Sequence, residues 1–321
     1  MTFHVLVPDN VDKKAIALLE AADGITVQAP GNMSREETLA AIPTAHAMII
    51  RSSTTADKEL LEAAANLKVI ARAGVGVDNV DLTVATERGV VVMNTPDGNT
   101  ISTAEYTFGL MLALARHIPN SYVYMNDGRW DRKQFKGMEL RGKTLGIVGF
   151  GRIGRAVCKR ALAFEMDVVT ADPYISADVV EDLGAKLVEL DDLYAQSDFI
   201  SLHTVITDET NGMINAESIA KMKPGVRIIN AARGGLINDE DLAAAIKEGR
   251  VAGAAVDVYV EEPPPPNHPL VGLQGVIHTA HLAASTGDAQ IQVGVDAAQE
   301  VIDALTKDEY SNVVNPDVLK S

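Results

Sequence analysis

The sequence has few cysteines, few positive charges and no long apolar run. Its one cysteine, Cys158, excludes an intramolecular disulfide and a metal site built from several cysteines. Lys and Arg number 28 against 44 Asp and Glu, which gives a formal net charge of −16. Nucleic acid and anionic membranes both require a cationic face, so neither is an expected partner. An anionic substrate would have to be held by a few locally placed cationic side chains.

The apolar segments also bear on a membrane span and a leader, and neither is expected. The longest of them, Tyr106 to Ala115, is too short to cross a bilayer and continues into Arg116. The N-terminus enters a strand pattern at once, so no secretory signal is expected. With 321 residues and 47% hydrophobic content, the chain is long enough for two globular domains, and we expect a soluble cytoplasmic protein.

Strand and helix patterns alternate along the first hundred residues, which predicts a parallel α/β domain. The predicted helices lie near residues 11–22, 34–41, 57–65 and 80–88, and a long helix follows from Ser102 to His117. The predicted strands are Phe3–Val7, Ile25–Gln28, Ala47–Ile50, Lys68–Ala71 and Val90–Met93.

A second alternation begins at Lys143 and predicts six strands, the number in a full dinucleotide-binding sheet. They lie near residues 144–149, 167–171, 198–202, 226–230, 252–257 and 276–278. A final helix, Ala289 to Leu305, has no strand after it. Its simplest place is against the first domain, which would make that domain discontinuous.

The segment Lys143 to Gly154 is the most informative part of the chain. An apolar strand runs into Gly149-Phe-Gly151-Arg152-Ile153-Gly154, a helical pattern follows, and a second strand ends at Asp172. In a dinucleotide-binding βαβ unit the first glycine permits the tight turn, the second admits the pyrophosphate, and the third lets helix and strand pack closely. Asp172 can accept hydrogen bonds from both ribose hydroxyls and would repel a 2′-phosphate, so the expected cofactor is NAD rather than NADP.

Three further strand ends carry residues suited to chemistry. Arg233, before two glycines, suits a bidentate grip on a carboxylate. Asp257 could accept a hydrogen bond from the nicotinamide carboxamide. His281 is a natural acid/base for oxidising an alcohol, and Glu262 would orient its imidazole. A metal site that combines His281 with His278 and His268 is disfavoured, because the spacing matches no common zinc motif.

Two arginines of the first domain, Arg51 and Arg72, follow apolar strands. Both could face a cleft between the domains and hold a doubly charged group there. Ordinary ion pairing in loops or helices is an equally good explanation on sequence grounds.

Taken together, these motifs resemble the D-isomer-specific 2-hydroxyacid dehydrogenases. The likeness runs from Arg51 to Gln290 and rests on five ordered segments. They are Arg72-Ala-Gly-Val-Gly-Val-Asp-Asn-Val-Asp81, Asn94-Thr-Pro-Asp-Gly-Asn99, Gly142 to Gly154, Asn230-Ala-Ala-Arg-Gly-Gly235 and Glu261-Glu-Pro263.

The resemblance implies a role for each matching residue. Arg233 would bind the substrate carboxylate and 2-oxo group, with His281 as acid/base and Glu262 as its partner. The substrate phosphate would be approached by Arg51 and Arg72, with Arg132 a weaker candidate, beside Val75 and Gly76. The residues implied for the cofactor are Gly149, Gly151, Arg152, Ile153, Gly154, Asp172, Thr204, Ala231, Ala232, Arg233, Asp257 and His281.

The implied fold is α/β with two doubly wound parallel-sheet domains. A Rossmann NAD-binding domain, residues 98–284, would be inserted in a flavodoxin-like substrate domain formed by residues 1–97 and 285–321. The family is typically dimeric, or built up from dimers, through the long helix and the region of Trp130. Because the chain ends at Ser321, inhibition by serine through a C-terminal regulatory domain is not expected.

The implied reaction moves a hydride between NAD and C2 of a small anionic D-2-hydroxy acid. The favoured pair is 3-phosphoglycerate and 3-phosphohydroxypyruvate, and the alternatives are sulfolactate and 2-hydroxyglutarate. A further alternative is an NAD-sensing, corepressor-like binding protein, since such relatives keep the same Arg, Glu and His. The chain departs from the family pattern at Val75, Val205, Ala280 and Ala283. Ala280 and Ala283 stand where the family usually has a proline and a glycine, and we expect them to set the loop of His281 differently and make it less rigid.

Overall fold

A computed structural model describes residues 2–320 of the chain. They form two compact units, one of residues 2–99 with 285–320 and the other of residues 100–284, and Met1 and Ser321 lie outside the described residues. Each unit is built on its own parallel sheet, as the sequence predicts. Within residues 2–320, no helix combines the length and the apolar character needed to cross a membrane.

The first unit holds a five-stranded parallel sheet in the order β2-β1-β3-β4-β5, which is the flavodoxin-like doubly wound order. All four residues of the central strand β3 are buried, as expected for a parallel sheet covered on both faces. The strands are β1 (Phe3–Leu6), β2 (Ile25–Gln28), β3 (Ala47–Ile50), β4 (Val69–Arg72) and β5 (Val91–Asn94).

Five helices cover this sheet. An Asp, Ser or Thr side chain at the start of each accepts a hydrogen bond from the first turn, a cap that stabilises a helix by roughly 1 kcal/mol. The last helix buries Val293, Ala297 and Val301 in the core that includes the sheet. The helices are α1 (Lys13–Glu20), α2 (Arg35–Ala41), α3 (Lys58–Ala63), α4 (Leu82–Glu87) and α12 (Gly287–Lys307), with 3-10 turns at Ile42–Thr44 and Pro316–Lys320.

The second unit holds a seven-stranded parallel sheet in the order β12-β11-β10-β9-β6-β7-β8. The sequence predicts six of these strands. It misses Lys186–Leu187, because two residues are too few to show a period. The strands are β6 (Thr144–Val148), β7 (Asp167–Ala171), β8 (Lys186–Leu187), β9 (Phe199–Leu202), β10 (Val226–Asn230), β11 (Val251–Val256) and β12 (Val276–His278).

The helices of the second unit include the long one predicted from Ser102, which runs from Thr100 to Arg116. It ends because His117 adopts a left-handed conformation, with φ of 54°, and a separate helix with a proline in its first turn follows. The helices are α5 (Thr100–Arg116), α6 (Ile118–Asn126), α7 (Arg152–Ala163), α8 (Ala177–Glu181), α9 (Leu190–Gln196), α10 (Ala216–Lys221) and α11 (Asp239–Lys247), with 3-10 turns at Lys133–Phe135 and Gly234–Leu236.

One buried carboxyl group makes the stability of the first unit depend on pH. Glu300 of α12 is 6% exposed, and its Oε1 accepts a hydrogen bond of 2.7 Å from Asn312 Nδ2. Burial raises the pKa of the Glu300 carboxyl to about 7, and the charge of Asp296 adds to that shift. Because the folded-state pKa lies above the unfolded value, folding favours the protonated form. The stabilisation is complete below about pH 4.5 and is lost as the pH rises towards 7.

Replacing Glu300 by Gln should therefore stabilise the protein at alkaline pH only. The amide keeps the oxygen that accepts from Asn312 and removes the buried charge. We expect the free energy of unfolding in urea to rise by about 1–3 kcal/mol at pH 8 and to stay nearly unchanged at about pH 4. The exposed Glu20→Gln serves as the control. An equal gain at both pH values would contradict this account of Glu300.

Candidate active site

The glycine turn after β6 is shaped by close backbone approaches. A Cβ on Gly149, whose φ is 90°, would lie 2.5 Å from the carbonyl oxygen of His203, and one on Gly154 would lie 2.3 Å from that of Gly149. A Cβ on Gly151 would meet nothing within 4 Å. Gly149 and Gly154 are thus required by the fold itself, whereas Gly151 is not.

Gly151 is the N-cap of α7, and no side chain caps that end of the helix. The first N–H groups of a helix together with the positive end of its dipole form an anion site. The helix begins with Arg152 and Ile153, so their backbone is placed at this end. This geometry fits a pyrophosphate group.

Asp172, directly after β7, is fixed against the same turn. Its Oδ2 accepts a hydrogen bond of 2.7 Å from Phe150 N, and its Oδ1 accepts one of 2.9 Å from Tyr174 N. Each carboxylate oxygen has a second lone pair, so both can still accept from ribose hydroxyls. The turn and Asp172 together suit the pyrophosphate and ribose of a dinucleotide.

The ends of β9, β10 and β11 lie at the same edge of the sheet as the glycine turn, since these strands run parallel to β6 in one sheet. Thr204 follows β9 and Ala231 follows β10. Next to Thr204 lies a histidine that sequence reasoning does not single out. Burial lowers the pKa of the His203 imidazole to about 4, so the ring is neutral, and its Nε2 lies 2.8 Å from Ser201 Oγ.

The turn that carries Arg233 is shaped by Asn230, a second residue missed by sequence reasoning. Asn230 is fully buried. Its Nδ2 donates to Arg233 O at 2.8 Å, and its Oδ1 accepts from Ala232 N at 3.0 Å. Arg233 itself donates from Nη1 to Ala232 O at 2.8 Å. A Cβ on Gly234 would lie 2.1 Å from the carbonyl carbon of Tyr259, so the Arg233 turn packs directly on the backbone that leads to Glu262.

Glu262 and His281 are brought together by the fold. Glu262 Oε2 lies 2.7 Å from His281 Nδ1, and Glu262 Oε1 accepts from Tyr259 N at 3.1 Å. Their side chains are 37% and 52% exposed. An ion pair this exposed contributes roughly 1 kcal/mol or less to stability. The main effect of Glu262 is therefore to orient the His281 ring. With Nδ1–H bonded to Glu262, Nε2 is left for a reacting group.

Asp257 holds the loop of His281. Its carboxylate is fully buried and accepts from Thr279 Oγ1 at 2.6 Å, Leu282 N at 2.9 Å and Ala283 N at 2.9 Å. Its backbone oxygen accepts from His281 N at 2.8 Å. Although the family's usual proline and glycine are absent, the loop is therefore fixed through its backbone. The contact with the nicotinamide carboxamide stays a prediction, because the partners of this buried carboxylate here belong to the loop itself.

The two arginines of the first unit end neighbouring strands. Arg72 pairs in register with Ile50 of β3, the residue before Arg51. The Arg51 loop is tied by the buried Asp9, whose Oδ2 accepts from Arg51 N at 2.5 Å and whose Oδ1 accepts from Thr54 Oγ1 at 2.6 Å. Sequence reasoning misses Asp9, because Arg51 lies 42 positions further along the chain.

The segment after Arg72 is tied down as well. The Arg72 guanidinium lies over Gly74, whose φ is 148°, so that a Cβ at this position would overlap it. Gly74 N donates to Thr95 Oγ1 at 2.7 Å, and Asn94 Nδ2 donates to Val75 O at 2.5 Å. These bonds fix the backbone that leads into Gly76.

Comparison with known proteins agrees with a dinucleotide-binding domain. Residues 108–283 match the family model described as D-isomer specific 2-hydroxyacid dehydrogenase, NAD binding domain. The chain belongs to the D-isomer-specific 2-hydroxyacid dehydrogenase family, and its cofactor is NAD.

Full-length relatives and solved structures extend the match. The D-3-phosphoglycerate dehydrogenase of Archaeoglobus fulgidus is 47% identical over 311 residues, which are 97% of this chain and 59% of that protein. The chain thus spans under two thirds of that relative. The TT0316 protein of Thermus thermophilus is 36% identical with a TM-score of 0.88, covering 97% of this chain and 100% of that one. A glyoxylate reductase from Paecilomyes thermophila is 29% identical with a TM-score of 0.88, covering 98% and 99%.

The two glycines at the start of α7 should respond differently to substitution. In Gly151→Ala the new methyl group meets no protein atom, so we expect the melting temperature to stay within about 2 °C while NADH binds at least ~10-fold more weakly. In Gly154→Ala the methyl group meets backbone, so we expect a loss of about 1–3 kcal/mol in stability. Thermal unfolding and fluorescence titration with NADH measure both. Unchanged NADH affinity in Gly151→Ala would contradict the pyrophosphate site.

Proposed function

We propose that the protein is an NAD-dependent dehydrogenase that moves a hydride to or from C2 of a small anionic D-2-hydroxy acid. The observation that carries this proposal is the Glu262–His281 hydrogen bond of 2.7 Å. With Nδ1 on Glu262, the Nε2 atom of His281 is assigned as the base, on a loop that Asp257 anchors at the edge where the glycine turn and Arg233 also lie.

The roles of these side chains follow from their chemistry. During oxidation His281 Nε2 takes the proton of the substrate hydroxyl group. Bound NAD supplies the ring carbon that receives the hydride from C2. The imidazolium that forms keeps its Nδ1–H on the Glu262 carboxylate, which stabilises the charge. Arg233 binds the substrate carboxylate through two nitrogens, as the planar guanidinium geometry permits.

The favoured substrate pair is 3-phosphoglycerate and 3-phosphohydroxypyruvate. Support comes from the 47% identity to a D-3-phosphoglycerate dehydrogenase and from the paired strand ends that carry Arg51 and Arg72. We assign the substrate phosphate to these two arginines and the backbone of Val75 and Gly76, with Arg132 a weaker candidate. A chain with a net charge of −16 needs such locally fixed cations to hold a dianion. The proposed setting is the cytoplasm, where a lone cysteine stays reduced.

This assignment predicts a strong preference among 2-oxo acids. NADH oxidation would be followed with phosphohydroxypyruvate, sulfopyruvate, 2-oxoglutarate and pyruvate. We expect kcat/KM for phosphohydroxypyruvate to exceed the others at least ~100-fold, about 2.7 kcal/mol of selective transition-state binding. In Arg72→Ala most of that preference should vanish, through a higher KM for the phosphorylated acid alone.

Arg88→Ala, at the C-terminal end of α4, is the matched control and should leave the preference intact. If Arg72→Ala affects phosphorylated and unphosphorylated acids equally, Arg72 does not bind the phosphate. A preference for another acid would keep the mechanism and change the substrate. No turnover with any acid, despite NADH binding, would favour the NAD-sensing alternative.

A homodimer is the proposed assembly, formed through the long helix α5 and the region of Trp130, which includes α6. Exposed apolar side chains gather there: Tyr122 is 67% exposed, Val123 57%, Ile118 53%, Met125 50% and Trp130 76%. Contiguous apolar surface of this kind marks a protein interface. We expect light scattering to give the mass of a dimer or a multiple of it. Tyr122→Glu combined with Trp130→Glu should give the monomer mass, and a wild-type monomer at micromolar concentration would contradict the proposal.

A further inference from the structure

His268 is a buried histidine whose ring is held at both nitrogens. Its side chain is 8% exposed, and its Nε2 lies 3.1 Å from Asp239 Oδ2. Its Nδ1 accepts a hydrogen bond of 3.3 Å from Leu270 N. Because Nδ1 accepts a backbone N–H, the ring proton sits on Nε2 and is donated to Asp239. These two hydrogen bonds therefore assign the Nε2–H tautomer to the His268 ring.

The His268 ring is connected to Glu262 through Tyr259. His268 packs edge-on against Tyr259, with ring centroids 5.3 Å apart and planes at 89°. Tyr259 N in turn donates to Glu262 Oε1 at 3.1 Å. One packing contact and one hydrogen bond therefore connect His268 to the carboxylate that orients His281.

Asp239 connects the same ring to the Arg233 turn. It is the first residue of α11 and follows closely on the 3-10 turn Gly234–Leu236. Gly234 packs on the Tyr259 backbone so closely that a Cβ would lie 2.1 Å from its carbonyl carbon. The His268–Asp239 hydrogen bond spans this contact and ties the Glu262 loop to the segment that carries Arg233.

We propose that His268, held by Asp239, is a positioning residue that keeps Glu262 in place to orient His281. The inference rests on the proposed function, in which Glu262 and His281 act as a pair. His268 touches neither the substrate nor the cofactor in this assignment. Its effect reaches the reaction through Tyr259 and Glu262.

The test is a double-mutant cycle between His268→Phe and Glu262→Gln. Phenylalanine keeps an aromatic ring against Tyr259 and removes both hydrogen bonds. We expect His268→Phe to lower kcat ~10-fold and to leave KM and NADH affinity within about twofold of the wild-type values. Glu262→Gln should lower kcat by a larger factor. Adding His268→Phe to Glu262→Gln should lower kcat no further, since both changes act through one carboxylate. Losses that simply multiply would overturn the proposal.

A matched pair on the first turn of α11 separates the hydrogen bond from general effects on the helix. Asp239→Ala removes the acceptor of the His268 proton and should reproduce the ~10-fold loss. Glu240→Ala removes the adjacent carboxylate and should leave kcat unchanged. Equal losses in the two variants would show an effect of helix charge and would overturn the proposal.

A second readout does not depend on turnover. In the ¹⁵N-histidine spectrum of the NADH complex, the His281 ring signals can be assigned among the 7 histidines with His281→Asn. We expect His268→Phe and Asp239→Ala to move these signals towards their positions in Glu262→Gln. If the His281 signals do not move, His268 is not a positioning residue, even if the enzyme is active. If they move in a protein that shows no turnover, the positioning role stands and the proposed function fails.

Discussion

Asp257 places a carboxylate where water does not reach, and the geometry of the site depends on how that charge is satisfied. Removing an ion from water costs several kcal/mol even after relaxation. Three donors offset this cost, and each hydrogen bond to a charged group contributes about 1.5–3 kcal/mol. All three donors, from Thr279, Leu282 and Ala283, belong to the loop around His281. Displacing that loop would leave a buried charge unsatisfied, so the hydrogen bonds to Asp257 favour the observed loop conformation.

The neighbouring Glu262–His281 pair is exposed to solvent, so its energetics differ from those of Asp257. Glu262 and His281 are too open to water for their attraction to stabilise the fold appreciably. Their hydrogen bond selects which ring nitrogen carries the proton, and this matters for reactivity rather than for stability. The site thus separates two tasks. The buried carboxylate fixes the backbone, and the exposed carboxylate sets the protonation of the ring that the backbone presents.

The sequence predicts the strands well because parallel strands buried on both faces leave unbroken apolar runs. It predicts the glycine turn and the residues at strand ends for a similar reason, since both are local patterns. The contacts that position those residues are not local. Asp257 bonds Ala283 across 26 positions, and Asp9 bonds Arg51 across 42. The sequence alone therefore does not reveal the hydrogen bonds from Leu282 N and Ala283 N to Asp257 that hold the loop around His281.

In the proposed function, substrate choice and chemistry are assigned to different parts of the chain. The side chains to which we assign proton transfer and carboxylate binding, His281 and Arg233, lie in the second unit, which carries the NAD-binding motif. A related glyoxylate reductase shares the whole fold with a TM-score of 0.88, so this scaffold alone cannot specify a phosphorylated acid. The additional charge of such a substrate requires additional cations, and Arg51 and Arg72 lie at the ends of adjacent strands of the other sheet. Asp9 uses its buried carboxylate to fix the Arg51 backbone, while the Arg51 guanidinium donates from Nη1 to Asn10 O at 3.0 Å. The assignment of Arg51 to the substrate phosphate therefore requires its side chain to exchange a backbone oxygen for the ligand.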